Sequence, residues 1–117
     1  MTQFKPNEIV CLDSQNNSLY CEVIDILTEQ KKCWTRPVIL VTYTDGDQYN
    51  RNIRSVFDLR FTSDLLWNMD FFRPVFDTEY ISFCCHLSDF EFDEIKVDSA
   101  KKTLRKFIQE IWEMNRQ

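Results

Sequence analysis

Cys33-Trp34-Thr35-Arg36-Pro37-Val38-Ile39-Leu40-Val41-Thr42-Tyr43 is the stretch whose reading decides the fold. Rich in β-branched and aromatic residues, it reads as the longest strand of the chain. Pro37 stands in its middle. Proline has no N–H to give to a ladder, so it belongs at a bulge, a bend or an edge position. A strand that bends midway is what a small barrel needs to turn its corners.

Working outward toward the N-terminus, the polar turn Glu29-Gln30-Lys31-Lys32 separates this strand from Leu19 to Leu27. There Leu19, Cys21 and Val23 alternate with Tyr20, Glu22, Ile24 and Ile26, mostly apolar on both faces, as in a tightly curled sheet covered on two sides. Before it, Glu8-Ile9-Val10-Cys11-Leu12 is β-rich and runs into Asp13-Ser14-Gln15-Asn16-Asn17-Ser18, whose side chains compete with a ladder for the backbone and favour a loop.

Toward the C-terminus, Asp45-Gly46 holds the one glycine of the chain and is the expected hairpin turn. Ile53 to Phe61 alternates as a fourth strand. Thr62-Ser63-Asp64-Leu65-Leu66-Trp67-Asn68 offers a capping hydroxyl and one turn of apolar residues, too few for an α-helix, and predicts a 3₁₀ turn. Phe71-Phe72-Arg73-Pro74-Val75-Phe76 closes the series as a fifth strand, because the residue before a proline is held extended.

The remainder reads as helical. Asp77-Thr78 can cap a short helix carrying Tyr80, Ile81, Cys84 and Leu87, and Asp89-Phe90-Glu91-Phe92-Asp93-Glu94-Ile95 reads as an acidic linker. Asp98-Ser99 then opens a helix to about Asn115. Ala100, Leu104, Phe107, Ile108, Ile111 and Trp112 form its apolar stripe; Lys101, Lys102, Arg105, Glu110 and Glu113 lie outside it.

Four strands, a 3₁₀ turn and a fifth strand is the order of SH3-like barrels, which residues 7–76 resemble in topology. The expected fold is thus α+β: a small five-stranded SH3-like β-barrel with a C-terminal helical extension over residues 77–117, one domain in all. Cys33 to Val41, Asp58-Leu59-Arg60 with Ser63 to Trp67, and Phe72 to Glu79 also resemble a family of small cyanobacterial proteins with no established activity. That resemblance implies a photosynthetic bacterium and a role around photosynthetic or regulatory complexes. It brings no functional residue with it.

Composition narrows the function classes. The 117 residues are 44% hydrophobic and 15% aromatic, enough apolar surface for one core of the commonest domain size. The longest apolar run, Val38 to Val41, is far short of the roughly 18 residues of a membrane span. Met1-Thr2-Gln3-Phe4-Lys5-Pro6 lacks the basic start and apolar core of a secretory signal. Five cysteines, an odd number without regular spacing, fit a reducing cytoplasm. The net charge of −5 argues against a nucleic-acid surface, which draws its affinity from clustered Lys and Arg.

Few constellations carry chemistry. Cys84-Cys85-His86 gathers soft ligands, but adjacent side chains diverge and seldom reach one tetrahedral ion, so buried structural thiols are expected and no metal or cofactor. No nucleophile elbow or glycine-rich loop accompanies His86, so no enzyme is expected. Asp89, Glu91, Asp93, Glu94 and Asp98 lack the order of a calcium loop and read as a solvated acidic face. Lys31, Lys32 and Arg36 beside Trp34 and Tyr43 are the nearest approach to an RNA-stacking patch. Trp34, Tyr20, Trp67, Phe71, Phe72 and Arg73, with Arg36, exceed what so small a core can absorb. They point to a protein-binding surface of exposed aromatics and arginine. The expected function is a non-catalytic protein-interaction module, with an RNA-binding module as the alternative.

Overall fold

The computed structural model describes residues 4–14, 16–43, 53–60, 62–76, 78, 81 and 94–114. Six strands make an antiparallel sheet: β1 (Ile9–Asp13), β2 (Asn17–Leu27), β3 (Lys32–Tyr43), β4 (Ile53–Asp58), β5 (Leu65–Asn68) and β6 (Phe72–Pro74). A long helix, α1 (Glu94–Met114), follows. The class is α+β.

The strand order is β4-β3-β2-β1-β6. β2 pairs with β3 from Lys32 to Thr42, so β4 and β5 share the other edge of β3, at Ile39–Tyr43 and Lys32–Thr35 respectively. Among the described residues no ladder joins β6 to β4 or β5, and the sheet is open.

Pro37 lies where its chemistry requires. Tyr20 pairs with Ile39 and Cys21 with Pro37, which leaves Val38 as the extra residue of a bulge. A second register shift between Val23 and Asp25 leaves Ile24 over on β2. The Val38 bulge changes which residues of β3 face the main core. Cys33 and Thr35 are inward before it and Leu40 after it, while Ile39 and Val41 face the opposite side with Tyr20.

Both faces of β2 are accordingly buried. Leu19, Cys21 and Val23 join Val10, Leu12, Leu40 and Leu59 in the main core; Tyr20 joins Cys11, Ile39 and Val41 in a smaller one. The helix closes the main core with Ala100, Leu104, Phe107 and Ile111, each buried, while Lys101, Lys102 and Arg105 are exposed. The stripe read from the sequence packs on the sheet. Of its six members Trp112 alone is exposed.

Several expectations are corrected. Six strands stand where five were expected, and the difference is Leu65–Asn68, a strand and not a 3₁₀ turn. Its apolar residues are too few to hold a helical turn, whereas the edge of β3 beyond β4 supplies ladder partners for all four. The 3₁₀ turn comes immediately after, at Met69–Phe71, and Asn68 caps it by accepting from the Asp70 N–H at 2.9 Å. A second 3₁₀ turn, Thr28–Gln30, fills the β2–β3 connection. Asp13, Asn17 and Ser18 belong to strands, so the first loop is shorter than expected; the Ser18 hydroxyl donates to Asp13 at 2.8 Å across that hairpin. Glu94 and Ile95 belong to α1 and not to a linker. Of the short helix expected after Asp77, Thr78 and Ile81 are described and helical, whereas Tyr80, Cys84 and Leu87, the Asp45-Gly46 turn and the acidic stretch at 89–93 lie outside the described residues.

Candidate functional site

The bulge in β3 and the shortness of β5 leave one part of the outer sheet face uncovered. Along Lys32 to Pro37 exposure alternates residue by residue: Lys32, Trp34 and Arg36 face outward, and Cys33, Thr35 and Pro37 are buried. Trp34 pairs directly with Leu66 of β5, and Arg36 with Glu22 of β2. Directly opposed residues in an antiparallel ladder point to the same side. Trp34 is 40% exposed and Leu66 46%, making an apolar pair on the surface.

Asp64, immediately before β5, organises this pair. Its Oδ2 accepts from the Trp34 indole N–H at 3.0 Å, and its Oδ1 lies 3.6 Å from Arg36 Nε. One carboxylate therefore fixes a tryptophan ring and draws a guanidinium beside it. The ion pair is largely solvated and worth little by itself. Its consequence is geometric, since an aromatic ring and an arginine held in place lose less freedom on meeting a partner. Beneath the patch the Thr35 hydroxyl donates to the Leu65 carbonyl at 3.0 Å, which ties β3 to β5 on the buried side.

The other residues singled out from the sequence fall elsewhere. Tyr20 is fully buried in the smaller core, and Phe72 is 5% exposed in the main one, so neither ring can meet a partner. Tyr20 alternates outward on β2, but Ile39 and Cys11 flank it on both neighbouring strands; Phe72 opposes the inward Leu12. Trp67 faces inward, half-buried against the main core, with Phe71 at 6.1 Å and Trp112 edge-on at 6.2 Å between ring centroids. Arg73 belongs to β6, three strands from β3, roughly 14 Å away at normal strand spacing. It forms an ion pair with Asp13.

The proton affinity of Asp13 is pulled in two directions. Partial burial pulls its pKa up, but the hydrogen bond and charge of Arg73 and the hydrogen bonds from Ser18 and Cys11 outweigh that and hold it below the ordinary value. This assembly braces the β1–β2 hairpin against β6.

The basic-aromatic set is divided. Lys32 shares the outer face with Trp34, opposite Asn68, whereas Lys31 ends the first 3₁₀ turn in a left-handed conformation with φ 56° and lines a different hollow. Tyr43 lies at the far end of β3, packed against the smaller core.

Cys11, Cys21 and Cys33 are buried thiols in no disulfide. Burial pushes Cys21 up to about 12 and Cys33 up to about 11, so both stay protonated and chemically quiet at neutral pH. Among the described residues no three metal-capable side chains gather. Cys84, Cys85 and His86 lie outside those residues.

Asp64 and Leu66 are site residues the sequence reading missed. The signal is an alternation, with Leu65 and Trp67 on one face and Asp64, Leu66 and Asn68 on the other, too short to stand out from the helical turn that the same residues predict. No protein family, curated protein or solved structure matches the chain. Among the described residues no helix is long and apolar enough to cross a membrane.

Proposed function

We propose that the protein is a non-catalytic protein-interaction module that docks a partner protein on the outer face of the β3–β5 ladder. The observation that carries this is Trp34, solvent-exposed yet held by Asp64 beside Arg36 and Leu66. Tryptophan and arginine are the residue types most enriched among interface hot spots, and a fixed ring costs less to bury than a mobile one. Trp34, Arg36 and Leu66 make the contact in this reading. Trp67 supports the patch from beneath, and Arg73 secures the hairpin.

The same reading takes the sheet as an SH3-like barrel. Support comes from the segment Leu65 to Pro74, which leaves β3 as β5, turns through the 3₁₀ turn and arrives at β1 as β6, spanning the two sides of the sheet. Cysteines in the thiol form fit a reducing, cytoplasmic compartment. RNA binding is the weaker reading, because the basic set it needs is divided and Arg36 already faces Asp64.

The test is affinity capture from an extract of the source organism, mass spectrometry of the captured protein, and titration of the purified pair. Trp34→Ala with Leu66→Ser abolishes binding on this account, and Arg73→Ala does not. Equal affinity of the double variant overturns it. Loss of binding in proportion to salt, with nuclease-sensitive capture, supports the RNA reading instead.

A further inference from the structure

A second concave site lies apart from the Trp34 patch, where the N-terminal segment, the end of β2 and the two 3₁₀ turns converge. It is a cleft of about 340 Å³. Phe4, Ile26 and Met69 supply an apolar floor; Phe4 is buried and the other two are half-buried. Lys5 and Lys31 stand on its rim, both exposed, and among the described residues Asp70 is the one carboxylate that lines it.

The walls are built before any ligand arrives. The Met69 N–H donates to the Lys31 carbonyl at 2.9 Å, joining the two 3₁₀ turns, and the Lys31 N–H donates to the Thr28 carbonyl at 3.2 Å. The N-terminal wall is held by Asn7 N–H to the Val23 carbonyl at 2.8 Å and Glu8 N–H to the Lys5 carbonyl at 3.1 Å. Neither lysine has an ion-pair partner among the described residues. Two ammonium groups against one carboxylate give the rim a local positive excess. The acidic balance of the chain has another source: residues 77–93 hold five carboxylates and no lysine or arginine, equal to the whole net charge of −5.

We propose that this cleft binds a compact amphipathic carboxylate, with its apolar body on Phe4, Ile26 and Met69 and its anionic head between Lys5 and Lys31. The volume lies at the lower end of the roughly 300–1,000 Å³ of small-molecule sites, which limits the body to a short chain or a single ring system. Apolar contact supplies most of the affinity and the lysines choose the charge of the head group.

The probes are octanoate, octanol and octylamine, each titrated into isotopically labelled protein and followed by backbone amide NMR. Octanoate produces saturable shifts at Ile26, Lys31 and Met69, octanol binds more weakly, and octylamine weakest. In the Lys5→Gln, Lys31→Gln double variant, octanoate affinity falls roughly tenfold, about threefold per exposed charge, and octanol affinity is unchanged. The dispersed amide spectrum of the variant verifies its fold. Equal binding of octanoate and octanol, or an unaffected double variant, overturns the anionic head; shifts that do not saturate, or that map elsewhere, overturn the site.

Discussion

Trp34 and Trp67 stand one rung apart on the same antiparallel ladder, yet the protein treats them in opposite ways. Trp34 opposes Leu66, faces outward and gives its indole N–H to Asp64. Trp67 opposes Cys33, faces the main core, and its buried indole N–H has no hydrogen-bond partner among the described residues. Hydrophobicity does not separate them; strand parity does. On the inner face α1 supplies cover, with Phe107, Ile111 and the edge of Trp112, while on the outer face the smaller core covers Tyr20 and Ile39 and leaves Trp34 open. An exposed tryptophan with a satisfied donor, beside a half-buried one without, is the contrast on which the proposal of recognition at the first and packing at the second rests.

The sharpest way to break that contrast uses neighbouring residues. Leu65→Asp places a charge against the main core and is expected to lower stability by roughly 3 kcal/mol or more, whereas Leu66→Asp changes it by less than about 0.5 kcal/mol. Urea unfolding of the two variants decides; equal losses remove the distinction between the faces. Next in size, Asp64→Ala removes the acceptor of Trp34 and the anion of Arg36 together. The expected cost is about 1 kcal/mol, with a large shift of the Trp34 indole signal in NMR. Asp64→Asn keeps an acceptor and holds the ring, so most of that signal is retained.

The hairpin ion pair gives a pH test. Because Asp13 is held below its ordinary value, the stability it lends is whole above roughly pH 4, the unfolded-state value, and disappears as pH falls through the lowered folded value. Asp13→Asn therefore flattens the acid limb of the unfolding curve in that window and leaves its shape near neutrality unchanged. A variant with the same acid limb as the parent contradicts the assignment. A small net effect is also expected at Trp67→Phe, which deletes an unsatisfied buried donor along with some packed surface. The two nearly offset, to within about 1 kcal/mol.

Much of this arrangement is legible in the sequence. Pro37 announces the bulge because no other residue so firmly forbids a ladder bond, and the i, i+4, i+7 apolar spacing from Ala100 to Ile111 announces the helix and the side it buries. What was not legible is non-local. Residues 65–68 are too few to declare a period, and their strand exists because β3 extends beyond β4 and offers an edge. Tyr20 and Phe72 look like surface aromatics by composition and are buried by neighbours 9 to 60 residues away in sequence, Cys11 and Leu12 among them. Asp64 became visible as a site residue only once β5 set it beside Trp34.

The central claim is that the outer face of the β3–β5 ladder binds a protein through Trp34 while contributing little to the stability of the fold. The most direct measurement is the affinity of Trp34→Ala for the purified partner, taken together with its urea midpoint. The account predicts a loss of at least about 2 kcal/mol in binding, some thirtyfold in Kd, with a loss of stability no greater than about 1 kcal/mol. An unchanged Kd, or a midpoint that falls in step with the affinity, would contradict it.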